Sequence, residues 1–340
     1  MPRKNLRIAI GQMDCVLGDV GANMATVERL AAEARDQGVE LLVLPELALS
    51  GYEVGSKFTE ASLTKGGKQI RTLKKLSREV GIVLGIIEET EDSEFFNSAM
   101  CLVGGEILHV HRKVYLPNYR GFDELRHFGT GRGVWAFDSP WGRMAILICG
   151  DAWHLPMPYL AAKDGADILL FLAASSTDAL TPSISVRDAW ERLNQTYALT
   201  LSAFVVFANR VGVEPDTDGG GKLNFWGGSH VCKPDGSFSA QAPIGEEHLL
   251  LDTLNLSELR RHRQILPFRR DDELRLTLEV GHRVLSDKST RRDGFFGLIS
   301  RSPQRKGQTR RAAVTNDVAD EIDHLGSFGE TDHSDAETRG

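Results

Sequence analysis

The chain has 340 residues, 41% hydrophobic and 26% charged, with a formal net charge of −7. Such a balance suits a globular protein with a sizeable core, and an acidic chain without a long basic run interleaved with aromatics argues against a nucleic-acid partner. No window reaches the apolar length of a membrane span and the first residues lack the apolar run of a secretory signal, so a cytoplasmic protein that binds small molecules and no membrane is expected.

Strand and helix patterns alternate along the chain, which predicts a mixed, centrally sheeted architecture. Residues 6–13 read as a strand, followed by a helix over 21–37 with Met24, Val27, Leu30, Ala31 and Ala34 on one face and Gly38 closing it. Residues 41–44 form a buried strand. A helix over 68–80, ended by Gly81, leads to strands at 82–87, 96–103 and 107–110. Further strands are predicted at 135–137, 144–149, 168–173 and 204–209, with helices at 158–163 and 186–201. Residues 228–232 and 248–252 read as strands around the turn Lys233-Pro234-Asp235-Gly236, and 256–262 as a last core helix. Past Ser286 the composition changes: residues 301–311 carry Arg301, Arg305, Lys306, Arg310 and Arg311 without an acid, whereas 317–337 carry acids without Lys or Arg. Charge blocks of this kind are solvated and commonly disordered, which predicts one domain over 1–285 and a charged extension over 286–340.

The four cysteines, Cys15, Cys101, Cys149 and Cys232, share no CxxC or His-paired spacing, so neither a zinc site nor a disulfide framework is expected. Cys149 stands apart from the rest. The aliphatic residues 145–148 precede it and Gly150-Asp151 follow, placing a thiol where a buried strand gives way to a turn. In open α/β sheets that end of a strand is where ligands bind. A single cysteine is nevertheless more often a small buried hydrophobe. Two other strand ends carry charge: Glu46 follows Leu44-Pro45, and Lys113 ends the alternating run His109-Val110-His111-Arg112. Taken singly, a loop glutamate or a terminal lysine is usually just solvated.

Taken together, Leu44-Pro45-Glu46 with Ser50-Gly51-Tyr52, Arg112-Lys113-Val114-Tyr115-Leu116-Pro117 with Phe122-Asp123-Glu124, and Cys149-Gly150-Asp151 resemble the nitrilase, or carbon–nitrogen hydrolase, superfamily. Supporting segments are Ala173-Ala174-Ser175-Ser176, Ala208-Asn209-Arg210-Val211-Gly212 and Gly227-Gly228-Ser229. The resemblance implies a four-layer α-β-β-α sandwich, commonly paired through a face of helices into a homodimer or higher oligomer. It also implies Cys149 as nucleophile, Glu46 as general base, Lys113 as the cation that stabilises the oxyanion, and Glu124 as a second acid. These residue types suit the chemistry, since a thiol of pKa near 8.5 is mostly protonated at neutral pH and needs an adjacent base. No cofactor and no metal are expected.

The segment from Leu116 to Arg126 is most similar to the glutaminase domains of glutamine-dependent NAD synthetases, but no ATP-using domain with a Gly-rich loop follows it here. An amidase acting on a small-molecule amide is therefore expected. A nitrilase, an N-carbamoyl amide hydrolase, a glutaminase subunit of a separate synthetase and an amide-forming acyltransferase are the alternatives. Family nitrilases usually carry tryptophan after the cysteine, and Gly150 at that position favours amides over nitriles. In the glutaminase branch the tyrosine matching Tyr119 lines the pocket, with serines like Ser175 and Ser176 beside it. Gly150, through its backbone N–H, and Trp153 complete the expected substrate contacts. His154 is set aside as a catalytic partner, and Cys15, Cys101 and Cys232 are expected to be core fillers.

Overall fold

The computed structural model describes residues 5–119, 122–177, 184–215 and 221–291. They fall in two compact units, Met1–Leu274 and Arg275–Gly340. In the second unit the described part is the body of the helix Leu274–Arg291, where Leu276, Leu278 and Val284 are exposed. The sequence reading placed no element there. Beyond Arg291 the expected charged tail lies outside the described residues.

The first unit is built on two sheets. One runs in the order His248–Leu254, Leu6–Gln12, Leu41–Val43, Gly81–Glu89, Phe95–Val103 and Glu106–Arg112. The other runs Phe238–Gln241, His230–Cys232, Phe204–Asn209, Ile168–Ala173, Gly142–Ile148 and Phe137–Ser139. The central strands of both sheets pair in parallel and are apolar on both faces, as parallel strands covered on both sides must be. Alternate side chains enter different cores. Ile8, Ile10, Leu41 and Val43 meet Met144, Ile146, Ile148 and Leu170 between the sheets. On the outer sides, Ala9, Leu42 and Leu84 pack under the helix Val20–Asp36, and Leu147, Leu169 and Phe171 under Pro156–Lys163 and Val186–Leu201. This is the four-layer α-β-β-α sandwich.

Most boundaries shift by a residue or two from the sequence reading, and three of the differences follow. The helix expected over 68–80 is Lys68–Leu76, because Arg78 and Glu79 close single turns on Lys75 and Leu76 and Gly81 already joins the sheet through the Glu40 carbonyl. The strand expected at 135–137 is Phe137–Ser139, set by antiparallel pairing with Gly142–Met144. The last helix of the core continues to Ile265.

Topology gathers five strand ends. Leu41–Val43 and Glu106–Arg112 point the same way in the first sheet, since two antiparallel steps separate Glu106–Arg112 from Gly81–Glu89. Gly142–Ile148, Ile168–Ala173 and Phe204–Asn209 are mutually parallel in the second. Glu46, Lys113, Cys149, Ala174 and Arg210 therefore all follow carboxyl-terminal strand ends.

Candidate active site

Lys113 is 1% exposed and Glu46 0%, so the solvated alternatives for these two do not apply, and Glu124 is buried with them at 3%. Lys113 Nζ donates to Glu46 Oε1 at 2.6 Å and to Glu124 Oε1 at 2.7 Å. Buried charges persist only when paired and hydrogen-bonded, and each carboxylate here has further partners. The Ala174 amide donates to Glu46 Oε2 at 2.7 Å, joining the loop after a first-sheet strand to a strand end of the second sheet. Asn97 Nδ2 donates to Glu46 Oε1 at 2.8 Å. The Tyr52 hydroxyl donates to Glu124 Oε1 at 2.5 Å.

Electrostatics follow from this crowding. Burial opposes the charge on Lys113, but the carboxylates of Glu124 and Glu46 outweigh it and hold the ammonium well above the ordinary lysine range. Burial pushes the Glu124 carboxyl up to about 7; Lys113 pulls it down and Glu46 raises it again.

Cys149 occupies a strained backbone conformation, φ 42° and ψ −98°, at the junction between Gly142–Ile148 and the short helix Gly150–Trp153. Such outliers persist where the surrounding structure over-determines them. The Cys149 amide is fixed on the Leu172 carbonyl at 2.8 Å. Loss of hydration raises the thiol pKa well above the usual range, with Glu46 adding to the rise and Lys113 opposing it. The thiol thus holds its proton more tightly than a free cysteine does, with Glu46 and Lys113 beside it. Lys113 reaches the same turn, its Cε 3.7 Å from where a Cβ on Gly150 would stand. That Cβ would also lie 2.7 Å from the Tyr115 carbonyl oxygen, so close approach of two backbones excludes a side chain at position 150.

The expected substrate residues fare differently. Ser175 Oγ accepts the indole N–H of Trp190 at 3.0 Å and of Trp226 at 3.3 Å, which gives the hydroxyl a packing role. Ser176 is 0% exposed and its Oγ has no hydrogen-bond partner among the described residues. Trp153 is half-buried, its ring edge-on to Trp190 with centroids 5.4 Å apart. The side chain of Tyr119 lies outside the described residues. His154 is exposed and stacks on Tyr115, in keeping with its exclusion from the chemistry. Cys15, Cys101 and Cys232 are buried, and burial raises their thiols to about 11, 12 and 12. Among the described residues no group of three or more His, Cys, Asp or Glu is placed to hold a metal ion. Nor is any described helix long and apolar enough to cross a membrane.

Sequence reasoning missed Tyr52, Asn97 and Asp151 as members of the site. Asp151 is 0% exposed; its carboxylate accepts the amides of Val114, Tyr115 and Ile148 and meets His111 Nε2 at 2.8 Å. Its place two residues after the cysteine was the one available signal. A cavity of about 310 Å³ opens beside Tyr52 and Glu124, lined also by Leu47, Val54, Phe58 and Phe128.

A buried carboxylate and ammonium beside a half-buried cysteine at the strand ends of this sandwich point to a hydrolase of the nitrilase type. The carbon–nitrogen hydrolase family model matches residues 7–264, and the chain belongs to that family. It is 28% identical over 299 residues to the glutamine-dependent NAD(+) synthetase of Acinetobacter baylyi, covering 87% of this chain and 52% of that protein, so it spans about half the length of that relative. It is 27% identical over 274 residues to the N-carbamoylputrescine amidase of Solanum lycopersicum, covering 77% of this chain and 91% of that one. The solved carbon–nitrogen hydrolase of Helicobacter pylori G27 superposes with a TM-score of 0.74 at 24% identity, over 81% of this chain and 98% of that chain.

Proposed function

We propose that the protein is a cytoplasmic amidase that hydrolyses a carbon–nitrogen bond of a small linear amide or carbamoyl compound through a thioester on Cys149. The observation that carries this reading is Glu46, fixed between Lys113 Nζ and the Ala174 amide and close enough to Cys149 to raise its thiol. Glu46 takes the Cys149 proton as the sulfur attacks the carbonyl carbon. The oxyanion is met by Lys113 Nζ and by the backbone N–H of Gly150, an oxyanion hole of the kind whose single donors are worth about 10²–10³ in rate. Glu46 returns the proton to the departing ammonia or amine, then activates a water that hydrolyses the thioester and frees the thiol. Glu124 holds Lys113 in place and balances its charge through both half-reactions. No step calls on a cofactor.

The likeness to NAD synthetases favours a second reading, a glutaminase that passes ammonia to a separate synthetase. A homo-oligomer is proposed through the outer helices Pro156–Lys163 and Val186–Leu201, where Leu155, Leu160 and Leu199 are exposed.

An ammonia-release screen over glutamine, aliphatic amides, N-carbamoyl amines and nitriles tests the assignment, with Cys149→Ala as blank. Release from amides or carbamoyl compounds supports the first reading and release from glutamine alone the second. Release from nitriles alone contradicts both, and transfer of the acyl group to an added amine in preference to water would make the enzyme a transferase.

A further inference from the structure

Arg210 and Glu214 form a second buried ion pair that the chemistry above does not use. Arg210 follows the strand Phe204–Asn209 and is 0% exposed. Its guanidinium donates to Glu214 Oε1, to the Cys15 carbonyl at 3.1 Å and to Asp14 Oδ1 at 3.5 Å, and lies 4.2 Å from the centroid of the Phe225 ring. Glu214, on the strand Val211–Pro215, is 2% exposed. Its carboxylate reaches far along the chain: Oε2 accepts the amides of Tyr52 at 3.0 Å and Glu53 at 2.8 Å. The approach is tight enough that a Cβ on Gly51 would stand 2.7 Å from Glu214 Oε1, and Gly51 has φ +76°, so glycine is required there on two counts. From this fixed backbone the Tyr52 side chain extends to Glu124 Oε1, the atom that also receives Lys113 Nζ.

We propose that Arg210 and Glu214 are positioning residues that lock the Tyr52–Glu53 backbone, and thereby hold the Tyr52 hydroxyl on Glu124 and set the proton affinity of that carboxyl. The proposal rests on the hydrolytic reading of Glu46, Lys113 and Cys149. The groups facing Glu124 are Lys113, Glu46, Tyr52, Asn97 and the Cys149 thiol; those around Glu214 are Arg210, the Cys15 thiol and, beyond Arg210, Asp14. At Glu124 the Tyr52 and Lys113 hydrogen bonds favour the ionised form, while burial and Glu46 favour the protonated one. Loosening Tyr52 tips that balance toward the proton.

The test compares Tyr52→Phe, Glu214→Gln and the double variant in two pH profiles: ammonia release from the best amide, and alkylation of Cys149 by iodoacetamide. Each single variant is expected to move the acid limb upward by on the order of half a pH unit or more. The double variant should move it no further than the larger single change, because both act on one hydrogen bond. Should Glu214→Gln not yield folded protein, Arg210→Lys carries the same test, since it keeps a cation against Glu214 but loses the planar fork. A folded Glu214 or Arg210 variant with wild-type limbs overturns the proposal, as do additive shifts in the double variant. A wild-type protein that releases ammonia from no amide defeats the hydrolytic reading instead, and alkylation still reports on the relay.

Discussion

Asp151 Oδ1 accepts the Val114 amide at 3.0 Å, and so ties the loop that begins at Lys113 to the turn that carries Cys149. The cation and the thiol belong to different sheets, and this carboxylate sets their register. Its other oxygen takes the Ile148 amide and faces His111 Nε2. Asp151→Asn puts an NH₂ group among these donors, leaving buried amides unsatisfied. A loss of about 2–3 kcal/mol in urea unfolding is expected, with kcat lower by on the order of 10²-fold from the displaced lysine.

Glu124 is expected to govern the pH response. Its carboxyl, raised to about 7 chiefly by burial, binds a proton more tightly in the folded chain than in the unfolded one. Its contribution to stability is therefore fully present below the unfolded value of about 4.5 and is lost as pH rises through about 7. Unfolding of wild type relative to Glu124→Gln, measured across that window, should show wild type losing ground as pH rises. The kcat/KM profile of wild type should fall below about pH 7 as the cluster takes up a proton. A profile whose acid limb is unchanged in Glu124→Gln would place the titration elsewhere.

Gly150→Ala forces a methyl group against the Tyr115 carbonyl at the turn proposed to supply the oxyanion donor. Destabilisation of about 1–3 kcal/mol is expected from the overpacking, and kcat should fall with it as the N–H shifts. The absence of tryptophan at this position thus has a packing cause in addition to any bearing on nitriles. A variant of wild-type Tm and activity would show that the two backbones can part freely.

Ser175→Ala separates packing from substrate binding. It removes the acceptor shared by the Trp190 and Trp226 indoles and should cost about 1–3 kcal/mol of stability through the two unsatisfied N–H groups. KM should stay within a factor of about three of wild type. A large rise in KM without loss of stability would assign Ser175 to the substrate.

The strands and their reactive ends were legible because burial on both faces leaves uninterrupted apolar runs that stop where the chain must turn. Ile168–Ala173, Val186–Leu201 and Phe204–Asn209 match the sequence reading residue for residue. Glu46, Lys113 and Glu124 were legible by resemblance, and the geometry brings them into direct contact. The supporting contacts were not legible. Tyr52 meets Glu124 across 72 residues, Asn97 meets Glu46 across 51, and Glu214 meets Tyr52 across 162, separations at which no local periodicity records a partner. The helix Leu274–Arg291 escaped notice for a different reason, since its apolar residues are spread among exposed charges.

The most direct test of the chemistry is the ammonia-release rate of Cys149→Ala beside its thermal unfolding. Folded protein with a wild-type Tm and a rate lower by on the order of 10⁴-fold or more is expected. Ammonia release that persists near the wild-type rate in the folded variant would contradict Cys149 as the nucleophile.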